Sequence, residues 1–325
     1  MNTAAREGRA TRSRPSRIAA RRAIMILREP DPIPTPRRPR LDLTPYTFIS
    51  PFYILFTLFF LGPTIFAFVL SFFNWSATSA PRYLATGNYE RVWSDPIFWQ
   101  AVQNTLTYSA ASLFIVCPLA LLVALALNSE LLMFKPFWRA VYFAPIVTSS
   151  VAVTLAFAML YNRDFGLINA TLISLGLTPV DWLGDRSVVR SAVIGVIIWR
   201  WTGLTSIYFL AGLQSIPKEL YEAAQLDGAD GLRRFRYVTL PQLRPVILFV
   251  SVIVMIGSMQ VFDEPQILTG GGPANASLSV VQYLYTRGIN QARFGYAATI
   301  GVTLFVTIFT LSLIQLRAGR SFRDA

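Results

Sequence analysis

Six stretches of the chain are apolar over a length that crosses a membrane: residues 49–73, 102–127, 141–161, 188–213, 246–262 and 297–316. At 1.5 Å rise per residue, about 20 mainly apolar residues cover the roughly 30 Å hydrocarbon core. Each stretch is expected to be a helix, because a backbone in lipid must satisfy its own hydrogen bonds. Pro63, Pro118 and Pro145 fall inside or near the starts of spans and are read as kinks, not ends. The fifth stretch is the shortest, and Ser258, Gln260 and Asp263 interrupt its apolar run. The connections are short. Residues 88–101, with Trp93, Phe98 and Trp99, read as one interfacial helix at headgroup depth. Residues 163–179 hold a second short, glycine-bounded helix, and residues 269–277 (TGGGPANAS) form a tight loop. That loop is either a plain reversal or a shaped contact surface. The expected fold class is all-α: a polytopic membrane protein of six transmembrane helices.

Composition agrees. The chain is 54% hydrophobic and 14% charged, against about 25% charged residues in an average soluble domain. The net charge of +12 is uneven. Residues 1–40 hold eleven arginines against Glu7, Glu29 and Asp31. A hydrophobic span follows directly, so this basic tail is assigned to membrane orientation and anionic lipid, not to nucleic acid. Its prolines favour extended, solvated chain, or a surface-bound turn over residues 17–28. A cleavable secretory signal has a core of about 7–15 residues, and the first apolar run, residues 49–73, exceeds that. With the N-terminus inside, inner connections hold twenty-one of the 29 Lys and Arg residues, outer connections seven, and Arg200 alone lies within a span. That bias puts both termini and the polar stretch near Glu222 in the cytoplasm. The expected organisation is a tail over residues 1–45, a six-helix domain over 46–316 and a short cytoplasmic end over 317–325. The lone Cys117 sits in an apolar run and reads as a small buried hydrophobe. There is no histidine, which removes imidazole-based triads and proton relays.

The polar stretch over residues 217–241 has its own pattern. Pro217 suits the first position of a helix, and Leu220, Ala223 and Ala224 then share one side. Gly228 suits the position after a helix end and Asp230 suits the cap of a second helix. In that helix Leu232, Phe235 and Val238 recur every third residue, with Arg233, Arg234 and Arg236 on other faces. Two short helices hinged at a glycine result. Physics alone leaves two partners open, lipid headgroups and another protein.

The stretch resembles the EAA motif of ABC-importer permeases. Glu222-Ala223-Ala224, Gly228, nine residues, Val238, Leu240 and Pro241 match it without departure. TGNYERVW, RAVYFAPIV, AGLQSIPKELYEAAQLDGA and LTGGGPANAS are similar to the carbohydrate-uptake branch, the MalF/UgpA-like permeases, and the resemblance covers residues 46–316. It implies a type I importer permease fold in a bacterial inner membrane. The implied partners are a second homologous permease subunit, a dimer of ABC ATPase subunits and an extracytoplasmic solute-binding protein. It implies that Glu222 pairs with a basic residue of the ATPase, that Ala223 and Ala224 pack closely against it, and that Asp227, Gly228 and Ala229 form the hinge. Gly270, Gly271, Gly272 and Pro273 are implied to face the binding protein. The chain carries no G-x-x-x-x-G-K-[ST] sequence, so no cofactor is expected on it, and ATP and Mg belong to the partner ATPase.

Arg200, flanked by Trp199 and Trp201, is either a structural contact or a substrate-path residue with the tryptophans stacking on a sugar face. Gln260, Asp263 and Glu264, near the outer end of the fifth span, are further candidates for sugar hydroxyls, the partner subunit or water. The expected function is the transport subunit of a sugar or oligosaccharide importer, not an enzyme. Its rivals are the same importer for glycerol 3-phosphate or a glycerophosphodiester, an ion-coupled secondary transporter, and an intramembrane enzyme. The span centres offer almost no ionisable residues for the last two.

Overall fold

The computed structural model describes residues 44–321. The expectations for the basic tail therefore lie almost wholly outside the described residues. The chain divides into two compact units, Met1–Thr57 and Leu58–Ala325. The described part of the first is α1 (Thr44–Phe56), almost entirely exposed, in which Phe52 stacks on Phe56 at 5.9 Å.

Among the described residues five helices are long and apolar enough to cross a membrane: Pro45–Leu70, Pro96–Asn128, Val189–Gln214, Gly231–Thr269 and Phe294–Gly319. The pair Lys135–Val147 and Ser150–Leu160, bent by 98°, makes a sixth when taken as one crossing. The third stretch is thus broken rather than kinked. Pro145 removes a backbone donor in α6 (Lys135–Val147), and Thr148 and Ser149 are extended before α7 (Ser150–Leu160) restarts. Pro63 and Pro118 behave as expected, and the helix shows how. A π-helical turn precedes each, Thr57–Leu61 and Ser112–Val116, and a third, Phe235–Thr239, precedes Pro241. Each wider turn includes the residue four before the proline, where the ring would otherwise strike a carbonyl.

The first span ends with α2 (Gly62–Leu70), earlier than the apolar run, and the chain turns into an antiparallel ribbon. Strands β1 (Phe73–Ser76) and β2 (Ser79–Tyr83) pair Phe73 with Tyr83 and Asn74 with Arg82. Apolar–polar alternation is not sustained over residues 73–83 and so does not announce it. The stop is tertiary: Asn88 Nδ2 donates to the carbonyls of Ser71 (3.0 Å) and Phe73 (2.9 Å), and Thr299 Oγ1 donates to Ser71 (3.0 Å).

The expected interfacial helix over 88–101 is two elements. Helix α3 (Gly87–Trp93) stops, and Asp95 caps α4 (Pro96–Ala111), its Oδ1 accepting from Ile97 N at 2.9 Å. Phe98 consequently lies in the core at 3% exposure, while Trp93 and Trp99 stay outside with ring centroids 5.2 Å apart. The second span continues as α5 (Cys117–Asn128). Helix α8 (Leu167–Ser174) is the glycine-bounded helix expected, fixed by buried Asn169, whose Nδ2 donates to Val180 O at 2.8 Å.

The centre of the bundle is α9 (Val189–Gln214). Half of its most apolar window is buried (50%), against 0% for the first span. On the half nearer Gln214, residues Phe209, Leu210 and Leu213 meet Ala120, Ala124 and Leu127 of α5. On the half nearer Val189, residues Val193, Val196 and Ile197 meet Tyr108, Val153 and Val261. Between helices in lipid there is little hydrophobic gain, so close approach over alanines and glycines is what stabilises these contacts.

Candidate functional site

Helix α10 (Lys218–Leu226) follows Pro217, which occupies the cap position one residue before the first helical turn. It closes on Gly228, whose φ of +74° is a left-handed conformation that a side chain would strain. Ala229 N donates to Ala224 O at 2.9 Å across this turn. Asp230 caps the next helix as expected, accepting from Arg233 N at 2.8 Å. That second helix is not a separate piece. Helix α11 (Gly231–Arg234) runs through the π turn Phe235–Thr239 into α12 (Leu240–Met259), so the chain leaves the hinge already on the fifth span. Tyr221 OH and Thr239 Oγ1, 3.1 Å apart, tie α10 to it. Glu222, Ala223, Asp227 and Gly228 are exposed, and Ala224 and Ala229 are half-buried. Glu222 makes no ion pair among the described residues, and Leu226 beside the hinge is 90% exposed.

At the other end of the spans, α13 (Asp263–Thr269) leads into the glycine loop. Gly270 and Gly271 have positive φ, and the Gly272–Pro273 bond is cis. Gly271 is buried, Gly270 is exposed, and Gly272 and Pro273 are half-buried. The loop is anchored to α4. Asn104 Nδ2 donates to Asn275 O (2.9 Å) and Leu278 O (3.0 Å), and Tyr108 OH donates to Ser277 O (2.8 Å). It is therefore a rigid surface feature and not a slack reversal.

Arg200 faces α13. Its Nη1 donates to Glu264 Oε1 at 2.9 Å and lies 4.0 Å from Asp263 Oδ2. Trp201 Nε1 donates to the same Glu264 oxygen at 3.2 Å, and the Glu264 side chain is 2% exposed. A buried carboxylate held by a guanidinium and an indole is a satisfied site. Trp199 points elsewhere, edge-on to Phe157 at 5.5 Å, and Gln260 is exposed. Trp201 also lines a narrow cleft between the π turn Ser112–Val116, α9 and α12. Thr205, Tyr208, Ser112, Gly257 and Ser258 share it, and its volume is about 40 Å³, space for roughly three waters. Sequence reasoning passed over Thr205, Tyr208 and Ser258. The spacing of Trp201, Thr205 and Tyr208 on one helix face was the available signal.

A second polar cluster was also missed. Asp95 Oδ2 accepts from Tyr296 OH (2.7 Å) and from Tyr283 OH, with Arg287 Nη2 at 3.6 Å. Arg287 Nε in turn donates to Tyr283 OH at 2.8 Å. Burial pushes the Asp95 carboxyl upward, but the hydroxyl and backbone N–H donors outweigh it and hold it below its usual range. The cluster joins the start of α4 to α14 (Val280–Tyr285) and α15 (Phe294–Ser321).

A bundle of membrane-length helices, with an exposed helix hinged onto one span and a rigid loop at the opposite end, is the architecture of a polytopic membrane protein. Residues 118–323 match the family described as binding-protein-dependent transport system inner membrane component. The chain is 36% identical to the arabinooligosaccharides transport system permease protein AraP of Bacillus subtilis (strain 168), covering 86% of this chain and 89% of that one. It is also 36% identical to the lactose transport system permease protein LacF of Rhizobium radiobacter, over 86% and 95%. A solved bacterial alginate ABC transporter, in complex with alginate pentasaccharide-bound periplasmic protein, superposes with a TM-score of 0.76 at 27% identity, over 86% and 95%. The chain belongs to the binding-protein-dependent transport system inner membrane components: it is a multi-pass inner-membrane permease subunit of an ABC importer, not an enzyme.

Proposed function

We propose that this permease carries an uncharged sugar or oligosaccharide, as one of two homologous permease subunits above a dimer of ABC ATPases that bind the ATP and Mg. The Arg200–Glu264 pair is the observation that carries the solute class. Among the described residues Arg200 is the one cation well inside a span, and it is already paired with Glu264 at 2.9 Å. An anionic solute such as glycerol 3-phosphate would have to displace a buried carboxylate to reach it. The cleft beside the pair presents the aromatic faces of Trp201 and Tyr208, surfaces on which a neutral glycan stacks, with Thr205 between them; the Ser112 and Ser258 hydroxyls are taken up by Tyr108 O and by Ser109 and Met255. The arabinooligosaccharides and lactose named for two relatives are of this class, whereas the alginate named for the solved transporter is an acidic polysaccharide.

The drive enters at α10. Glu222, exposed and without an ion pair among the described residues, is placed to meet a basic residue of the ATPase, with Ala223 and Ala224 as its close-packing surface. Asp227, Gly228 and Ala229 hinge α10 onto α11, which continues into α12. A displacement of α10 is therefore delivered along the 20 residues of α12, a rod of about 30 Å, toward Glu264 beyond its far end. In this reading the Arg200–Glu264 contact, joined to the cleft through Trp201, serves as its outer closure, and breaking it belongs to the outward-open state of a two-state rigid-body change. Gly270, with half-buried Gly272 and Pro273, presents the surface for the solute-binding protein, and buried Gly271 shapes the turn behind it. In reconstituted importer, Glu222→Lys is expected to abolish stimulation of ATP hydrolysis by loaded binding protein while the subunits still assemble. Undiminished uptake overturns the docking role. Stimulation by binding protein loaded with glycerol 3-phosphate, and not with neutral glycans, overturns the solute class.

A further inference from the structure

One hydroxyl in the wall of the cleft beside Trp201 is buried and has no partner. Thr205 lines the cleft at 2% exposure, and its Oγ1 makes no hydrogen bond among the described residues. The two serines of the cleft differ from it. Ser112 Oγ donates to Tyr108 O at 2.9 Å, and Ser258 Oγ lies 2.9 Å from Ser109 Oγ. Other threonines on the membrane helices close on their own backbone, the usual resort of a helical threonine. Thr202 donates to Ile198 O (2.6 Å), Thr154 to Ser150 O (2.8 Å) and Thr303 to Thr299 O (2.8 Å). Thr205, one turn along α9 from Thr202, does not. A buried hydroxyl without a partner is costly, and bulk water does not reach membrane depth to relieve it. The vacancy points to a group that enters the cleft.

The α12 wall of the same cleft has a gap. Gly257 lines it, and a Cβ built there would meet nothing within 4 Å. The glycines of α9 are packed instead. A Cβ at Gly203 would lie 1.8 Å from Tyr142 O, at Gly195 2.4 Å from the Tyr161 hydroxyl, and at Gly212 2.9 Å from Val246. Gly257 does not have positive φ either. Neither packing nor backbone conformation calls for glycine here, and glycine is a poor helix former. What its missing side chain provides is room in the cleft. The cleft encloses about 40 Å³, space for roughly three waters, so a sugar ring enters only when α9 and α12 part. The bare backbone at Gly257 keeps that parting small.

We propose that Thr205 selects the solute in this cleft: its hydroxyl hydrogen-bonds one hydroxyl of a neutral sugar ring, and the ring takes the space left open at Gly257. The assignment rests on the reading of the cleft as the solute path. The test is uptake into vesicles holding the assembled importer and its solute-binding protein, measured per ATP hydrolysed. The probes are radiolabelled lactose and short arabino-oligosaccharides, the one that wild type carries best being used throughout. Thr205→Val, which keeps the shape and loses the hydroxyl, should lower uptake per ATP about twofold to tenfold, the range of one uncharged hydrogen bond. Thr205→Ser, which keeps the hydroxyl, should restore it. Gly257→Leu, which fills the gap, should lower it by more than about tenfold. If G257L fails to accumulate, Gly257→Cys in a Cys117→Ala background, modified with a methanethiosulfonate reagent after assembly, fills the same space. Equal uptake per ATP in wild type and T205V overturns the role of Thr205 and leaves it a water site only. A loss in T205S as large as that in T205V overturns it too, as an effect of packing. Undiminished uptake with the gap filled overturns the role of Gly257. Carriage of glycerol 3-phosphate and of no neutral glycan by wild type is a different failure, that of the solute class itself, and the proposal falls with it.

Discussion

Glu264 shows how far one residue's role depends on its neighbours. Alone in the sequence it is an acidic residue at the end of a span. In the structure it is a buried acceptor for Arg200 and Trp201 at once. Removing one partner of a buried pair leaves an uncompensated charge and costs about 3–5 kcal/mol, whereas replacing both by apolar residues is close to neutral. Glu264→Ala is therefore expected to lower the thermal stability of the purified protein sharply, and Arg200→Met with Glu264→Leu to restore it. If the pair is also the outer closure of the cleft, the double variant stays stable yet loses tight coupling. It should hydrolyse ATP without loaded binding protein. A stable double variant with native coupling would reduce the pair to a structural contact.

Asp95 gives a pH prediction at the same scale. Its folded-state pKa lies below the ordinary value of 3.8. Its contribution to stability is thus fully present above the usual carboxylate range and is lost as pH falls through that lowered value. Asp95→Asn should destabilise by about 1.5–3 kcal/mol, the range for hydrogen bonds to a charged group. The difference in melting temperature from wild type should be constant between pH 7 and about pH 5 and shrink only in stronger acid. A difference that collapses already near pH 6 would mean another group carries the effect.

Among elements, the meeting of α6 and α9 decides whether the broken third span can sit where it does. A Cβ built on Gly203 would lie 1.8 Å from the carbonyl oxygen of Tyr142. That neighbour is backbone, so no rotamer change makes room. Gly203→Ala is expected to push α6 off α9 and to lower accumulation in the membrane. Gly257→Ala serves as control, since nothing lies within 4 Å of its added Cβ. Equal accumulation of the two variants would show that the approach is relaxed in the membrane. Helix α10 is the contrasting element. A Cβ added at Gly228 would meet nothing within 4 Å, so its positive φ and the hydrogen bond from Ala229 N to Ala224 O set the turn rather than side-chain packing at the glycine.

For the whole molecule, the proposed mechanism puts residues 217–241 and the glycine loop on opposite sides of the membrane. A reporter fused after Ala325 should be active only as a cytoplasmic fusion, and a cysteine placed at Gly270 should react with an impermeant thiol reagent from outside. Activity of the fusion on the exterior would invert the topology.

The sequence by itself determined the spans, the hinge and the kinship. Long apolar runs report membrane depth locally, the turn residues Gly228 and Asp230 act on their own backbone, and the motif around Glu222 is contiguous. Spans two, four and six lie close to their expected places. What only the tertiary structure decided were features whose cause is far away in the chain. The first span stops where Asn88 and Thr299 both donate to the carbonyl of its capping residue, Ser71. The second amphipathic helix continues into α12 because nothing between Arg234 and Leu240 breaks it once a π turn accommodates Pro241. Asp95 finds Tyr296, 201 positions on, and Arg200 finds Glu264, 64 positions on. Hydrophobicity and turn preference are properties of a residue and its neighbours. A buried polar partner is a property of the packed bundle, and it exists only once the helices have met.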